Sequence, residues 1–353
     1  MAYSTINKST DYFNTKLYTG DGNSTQAITG VGHQPDLVWL KNRSDSTWHQ
    51  LIDAVRGTGA AYTLASNSNE GEGGGSTNQY GFISALSSDG FTVSAGTSNA
   101  SVVNHSGNNY ASWNWKAGGS ASSNTDGSIT SSVSANTTAG FSIVSYTGTG
   151  ANATIGHGLG SAPKMVIVKD RDNGTYAWHV YHVGVGATKT IYLNATNTPD
   201  TSSIYWNNTA PTSSVFSVGT SVTTNNSGDN FIAYCFAEKT GYSKFGSYVG
   251  NGNADGSFIY TGFKPAWVML KKTNNTESWL IMDNKRQGYN PENEYLIADL
   301  NNAEGTPNHI DLLSNGFKLT STGGGFNGSG DTFIYMAFGQ SLVGSNNVPC
   351  TAR

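Results

Sequence analysis

The chain has 353 residues, a net charge of −4, 12% charged residues and 11% aromatics. Disorder pairs high net charge with low hydrophobicity, and nucleic-acid binding needs a Lys/Arg stripe, so this composition excludes both and describes a folded, turn-rich protein with a near-neutral surface. Cys235 and Cys350 are too few for a disulfide framework. The first residues lack a basic-plus-apolar leader and no apolar run reaches membrane-spanning length, so a soluble protein made in a cytosol, without membrane insertion, is expected.

Along the chain, the first patterned stretch is Phe13-Asn-Thr-Lys-Leu-Tyr18-Thr-Gly20-Asp-Gly22, and it returns as Phe141-Ser-Ile-Val-Ser-Tyr146-Thr-Gly148-Thr-Gly150 and as Tyr248-Val-Gly250-Asn-Gly252. Seventeen residues after each tyrosine a proline opens an apolar strand ending in lysine: Pro35 to Lys41, Pro163 to Lys169 and Pro265 to Lys271. A tryptophan follows in each copy, Trp48, Trp178 or Trp279. Each copy then has a Ser-to-Phe turn and strand (Phe91, Phe216, Phe317) and ends on Ser-Gly with an aromatic closing strand. A fixed offset repeated three times sets the architecture before any local motif does.

The periodicity is that of strands. In the closing strands Trp113 and Trp115 share one face, as do Tyr234 with Phe236 and Met336 with Phe338. The proline strands are apolar on both faces, which suits central strands, and proline costs least at a strand's first residue. Only His49–Arg56 and Asn293–Glu304 hint at a helical turn. These signals predict an all-β chain of three tandem antiparallel β-sandwich repeats, concanavalin- or jelly-roll-like, of roughly 100 residues each. The expected boundaries are an N-terminal segment 1–12, repeats at 13–117, 141–240 and 241–343, a Gly/Ser/Thr linker 118–140 and a tail 344–353. The linker holds Ser128–Val133, a candidate edge strand. With no spacer between them, repeats two and three are expected to form a rigid pair, with the first placed differently.

The opening Tyr12–Gly22, together with Gln34–Arg43, Asp53–Gly57, Ala111–Ala117, Lys244–Gly250, Asn315–Leu319 and Asn347–Arg353, resembles uncharacterised β-domains of tailed-phage virion proteins, notably marine ones. The resemblance covers nearly the whole chain. It implies concanavalin-like domains in a tail-fibre or other virion structural protein, and carries no catalytic residues. Repeat two departs from the pattern: Asp53-x-x-Arg56 and Asp283-x-x-Arg286 become His182-Val-Gly-Val185.

Catalytic constellations are absent from the sequence, and no enzyme and no cofactor is expected. Gly156-His-Gly158-Leu-Gly160 precedes a strand and reads as a turn. His179 and His182, three apart on a strand, point to opposite faces and do not share a metal. Asp170-Arg-Asp172-Asn-Gly174 lacks the later glutamate of a calcium loop and also reads as a turn. Glu292 and Glu294 are the nearest approach to the paired carboxylates of glycoside hydrolysis, in what reads as an exposed loop. The binding candidates are the tryptophan corners. Trp48, His49, Asp53 and Arg56 in repeat one, and Trp279, Asp283 and Arg286 in repeat three, set an aromatic ring beside hydrogen-bonding groups, as sugar recognition requires. The competing reading makes the tryptophans core and the Asp/Arg pairs loop braces. Tyr18, Tyr146 and Tyr248 read as structural, their phenols holding the Gly-x-Gly turns.

The expected function is that of a phage virion protein of the tail-fibre or adhesion apparatus, with other virion proteins as partners and host-surface polysaccharide as the candidate ligand. A head decoration or head-fibre protein without a ligand is the alternative, and a polysaccharide depolymerase the third. A homotrimer is expected, with a single chain imitating a trimer as the competing arrangement.

Overall fold

A computed structural model describes residues 4–74, 77–291, 294–306 and 310–342. The chain is all-β, built of antiparallel sheets, and the predicted prolines lead into equivalent strands. In the first repeat the sheet order is Phe13–Thr19, Asn109–Trp115, Leu37–Asn42, Gln50–Asp53. In the second, Phe141–Thr147, Asn230–Phe236, Met165–Asp170 and His179–His182 run in the same order. In the third it is Ser243–Val249, Thr332–Gly339, Pro265–Lys272, Leu280–Asp283. Opening, closing, proline and return strands thus follow one plan, and the registers agree. The second residue after each proline (Leu37, Met165, Trp267) faces Trp115, Phe236 and Phe338 respectively.

A smaller sheet covers one face of each large one, which makes the sandwich. Thr25–Thr29 with Gly90–Ser94 and Phe82–Ser87 covers the first. Ala153–Gly156 with Val215–Val218 covers the second, and Phe258–Tyr260 with Gly316–Leu319 and Ile310–Leu313 the third. Each sandwich encloses its own core: Val38, Leu40 and Ile52 against Phe91 and Val93, then Val166 and Val168 against Phe216 and Val218, then Val268 and Met282 against Phe317 and Leu319.

The other face of every large sheet is just as apolar, and all three faces pack on one another in a single central core. Trp115, Phe236 and Phe338, which hold one position in the three closing strands, form a closed triangle. Ring centroids are 6.2 Å apart for Trp115–Phe236, 6.2 Å for Phe236–Phe338 and 5.8 Å for Trp115–Phe338. Trp267 meets Trp115 edge-on at 5.7 Å and Phe13 stacks on Phe338 at 4.9 Å. Burying one such ring is worth roughly 2–3 kcal/mol. Packing is close, leaving an apolar cavity of about 10 Å³ lined by Leu37, Ile167, Met269 and neighbours from all three repeats. The chain therefore has internal pseudo-threefold symmetry.

Three expectations change. The stretch expected as a linker carries two strands where one candidate was named: Ser131–Asn136, overlapping the candidate at Ser128–Val133, and Ser122–Asn124 extend the outer edge of Phe141–Thr147. Repeats two and three are not a pair set apart from the first, because the aromatic face of repeat one completes the shared core. The helical hint at His49–Arg56 is a strand followed by a turn, and Leu296–Ile297 is a short strand, since both lie against a neighbouring strand with apolar residues to bury. Among the described residues no helix is long and apolar enough to cross a membrane.

A core shared by three sheets should melt as one. Trp115→Ala is expected to lower stability by about 3–5 kcal/mol while keeping a single denaturation transition followed by fluorescence and circular dichroism. Three resolved transitions would show independent repeats.

Candidate functional site

The predicted corners lie where repeats meet. The cross-strand partners Leu40–Gln50, Val168–His179 and Leu270–Leu280 fix the equivalences. By that register the counterpart of Trp178 and Trp279 is His49, not Trp48, so the sequence expectation was out by one residue in repeat one. Trp48 is half-buried, whereas His49, Trp178 and Trp279 are 0%, 0% and 1% exposed.

These three residues make one cyclic set of bonds. The Trp178 indole donates to the Ala65 carbonyl of repeat one at 2.9 Å, and the Trp279 indole to the Tyr192 carbonyl of repeat two at 2.8 Å. His49 closes the ring, its Nε2 lying 2.9 Å from the Ile297 carbonyl of repeat three while its Nδ1 accepts from the Trp39 indole at 2.9 Å. That pair of contacts fixes the neutral Nε2–H tautomer. Burial, reinforced by the Lys41 charge, pulls His49 down to about 3.

The Asp/Arg pairs brace two of the three joints. Asp53 and Arg56 are fully buried and joined at 2.5 Å. Asp53 also accepts from the Tyr234 phenol of repeat two at 2.8 Å, and Arg56 reaches Glu72, which pairs with Arg171 of repeat two. In repeat three Asp283 and Arg286, equally buried, are 2.7 Å apart. Asp283 accepts from the Trp113 indole of repeat one at 3.0 Å, and Arg286 pairs with Glu304, which binds Arg43 of repeat one at 2.7 Å. Burial alone would depress both arginines; Asp53, Tyr234 and Glu72 outweigh it for Arg56, and Asp283 and Glu304 for Arg286, so both stay above their ordinary value.

The third joint lacks the ion pair, for a legible reason. Trp113 and Tyr234 have Met336 as their counterpart, facing Met269 as they face Trp39 and Ile167. A thioether donates nothing, so an aspartate opposite it would be left without that partner. His182 stands there instead. Its Nε2 lies 3.1 Å from the Tyr335 carbonyl, its Nδ1 accepts from Gly184 at 3.0 Å, and burial lowers it to about 4. His179 points away from it, buried against Tyr205 and Thr190, in line with the opposite faces expected of the two.

Hence the corners are structural joints, with the polar groups that glycan binding would use engaged inside the protein. Two open surface clefts, of about 430 and 490 Å³, share Gln34 and Lys116, and neither is lined by any of the seven predicted residues. Glu294 pairs with Arg43 at 3.1 Å, while Glu292 lies outside the described residues. The tyrosine phenols donate to Val103, Thr224 and Phe326 carbonyls at 2.6, 2.6 and 2.8 Å, one step from the turns they were expected to hold. The turns are held by the next residues, Asn104, Asn225 and Asn327, whose Oδ1 atoms accept from the backbone of Asp21, Thr149 and Asn251. The signal for them was in the sequence as a triplicate Asn-x-Ser-Gly.

A three-lobed all-β chain with an internal threefold is the class that these observations define. The chain belongs to the family described as Domain of unknown function (DUF7483), whose model matches residues 8–341. No curated protein and no solved structure matches it.

Two outcomes are expected. Arg56→Ala strands a buried carboxylate and should cost about 3–5 kcal/mol in denaturation; restoring the repeat-two solution with Asp53→His, Arg56→Val and Tyr234→Met together should cost less. His182, held neutral below its ordinary value, contributes stability that is present above about pH 6.5 and lost as the pH falls towards about 4. His182→Gln keeps a donor for the Tyr335 carbonyl and should reduce the pH dependence of Tm in that window, with His49 and His179 keeping the remainder.

Proposed function

We propose that this chain is a structural component of a phage particle, of the tail-fibre or adhesion class, acting as a rigid three-lobed unit and not as an enzyme. The observation that carries the reading is the closed ring of three lobes around the Trp115–Phe236–Phe338 triangle. Closed cyclic symmetry is the usual solution for homo-oligomers and the phage resemblance implies trimers, so a chain that builds a threefold internally can seat on a threefold partner while presenting three unlike lobes. The polar and aromatic groups that would suit catalysis or sugar stacking are committed to joints between lobes, which supports a mechanical role. Host-surface polysaccharide remains a candidate ligand for the outer loops only. A head-decoration position is the second reading, favoured by the burial of His49, both Asp/Arg pairs and Trp279, which takes all the candidate glycan contacts except Trp48 out of the surface.

Mass spectrometry of purified particles, with labelling by an antibody raised to the protein, tests this directly. Label at the tail is the expected result; label on the head selects the second reading, and absence from particles overturns both. Because one chain already closes the ring, light scattering is expected to give a monomer near 37.2 kDa. Three times that mass would restore the homotrimer expected from the sequence.

A further inference from the structure

The last residues of the three proline strands hold one position and three chemistries. Asn42, Asp170 and Lys272 face Tyr110, Phe231 and Phe333 on the closing strands. Asn42 Oδ1 caps the following turn, accepting from Ser44 and Asp45 backbone N–H at 2.9 and 3.1 Å. Asp170 Oδ1 does the same for Asp172 and Asn173, both at 2.9 Å, as the turn reading of this segment expected. The two side chains are therefore oriented alike, and their second atoms correspond.

Asn42 Nδ2 donates to the Ser101 carbonyl at 2.8 Å and to the Tyr110 phenol at 3.4 Å. Ser101 stands three residues before Asn104; its counterparts, three before Asn225 and Asn327, are Val222 and Gly324. Lys272 Nζ duly donates to the Gly324 carbonyl at 3.2 Å, and pairs with Asp331 at 2.6 Å. The counterpart of Asp331, two residues before the closing-strand aromatic, is Asp229. Repeats one and three thus offer a donor at this point. Repeat two offers Asp170 Oδ2, an acceptor in a fully buried residue and without a hydrogen-bond partner. Phe231 removes the phenol that Tyr110 supplies, and a carboxylate facing a carbonyl has nothing to bond without a positive group between them.

We propose that repeat two binds a hard cation of the calcium type through Asp170 Oδ2, the Asp229 carboxylate and the Val222 carbonyl, in the place that the Lys272 ammonium fills in repeat three. The donor set is all oxygen, two of the three ligands are carboxylate groups, and the half-buried Asp229 opens the site to water for the remaining positions. Among the described residues no three His, Cys, Asp or Glu side chains are grouped to hold a metal ion, and the proposed set has only two, with a backbone carbonyl as its third member. Asp229 Oδ2 accepts from the Asn226 amide at 2.7 Å, which leaves its Oδ1 for the cation; Asp172 accepts from Asn230 at 2.8 Å, and Lys169 Nζ turns to the Asn69 and Tyr176 carbonyls at 2.9 and 3.0 Å. Burial first, then the Asp229 charge, pushes the Asp170 carboxyl up to about 6, as expected of a group that wants either a cation or a proton.

Calcium chloride titrated into chelator-treated full-length protein at neutral pH tests the proposal. A Kd of about 10⁻⁴–10⁻³ M is expected, with Tm raised by roughly 2–4 °C at saturation. Asp170→Asn copies Asn42, gives the Val222 carbonyl a donor, and should fold normally while losing the calcium response. A wild-type Tm indifferent to calcium, or an equal calcium shift in Asp170→Asn, overturns it. So does a wild type that calcium leaves unchanged but that gains stability relative to Asp170→Asn as the pH falls from neutral towards about 5, since a proton then does the bridging and the comparison cancels the histidine loss over the same window.

Discussion

Everything in this molecule depends on closing strands that are buried on both faces beyond their first residue. A two-layer sandwich buries one face of each sheet and leaves the other wet. Here the second face carries Trp113 and Trp115, Tyr234 and Phe236, or Met336 and Phe338, with all six side chains buried. Two such faces would cover each other only in part, since Trp267 and Phe13 also need partners. A ring of three solves this, each sheet packing on the other two around one axis. Low surface charge then follows naturally: so many of the chain's large side chains are committed inward that small polar residues make up the loops and the rim.

An apolar axis alone leaves the lobes free to slip, because aromatic packing is weakly directional. Direction comes from the polar joints around it. Indole or imidazole N–H groups bond carbonyls of the neighbouring lobe from repeat one to three, two to one and three to two. Two of the joints add an Asp–Arg–Glu chain that ends on an arginine of the next lobe. Burying such charges is costly unless every member is paired, so they cannot be exchanged singly. The third joint illustrates the rule. With Met336 in place of a donor, aspartate is replaced by histidine and arginine by Val185, while Pro199 and Thr273 stand where the other joints have Glu72 with Arg171 or Glu304 with Arg43. Five positions differ together because they form one contact.

Much of the fold was legible in the chain. The tyrosine-to-proline offset located equivalent strands to the residue, and alternation in the closing strands put Trp113 with Trp115, Tyr234 with Phe236 and Met336 with Phe338 on one face each, all six in the shared core. What the sequence did not reveal was what that face packs against, because an apolar stripe is equally suited to a sandwich partner, another subunit or a further repeat. The same limit applied to the corners. An Asp and an Arg three apart beside an aromatic look alike whether they greet a ligand or a neighbouring lobe, and only the partner residues, Tyr234 and Trp113, more than a hundred positions away, decide between them. Trp48 misled by one residue because the spacing of tryptophans was followed rather than the cross-strand register that makes His49 the equivalent.

Symmetry inside is matched by asymmetry at the rim. The outer edge of Phe141–Thr147 is closed by the Ser131–Asn136 strand, and Ile129 bridges to Ile155 on the small sheet of the same lobe. Phe13–Thr19 and Ser243–Val249 remain edge strands of their sheets. On the third lobe Phe258 and Tyr260 are 47% and 61% exposed, where the first has Ala27 and Thr29 and the second Thr154 and Gly156. Three copies of one subunit could not differ in this way, because each would carry the same edge. Fusing the repeats into one chain keeps the threefold core, which the aromatic faces require, and frees each lobe's edge to take a different residue set. The core then answers to packing alone, and the rim of each lobe is free to meet a different neighbour.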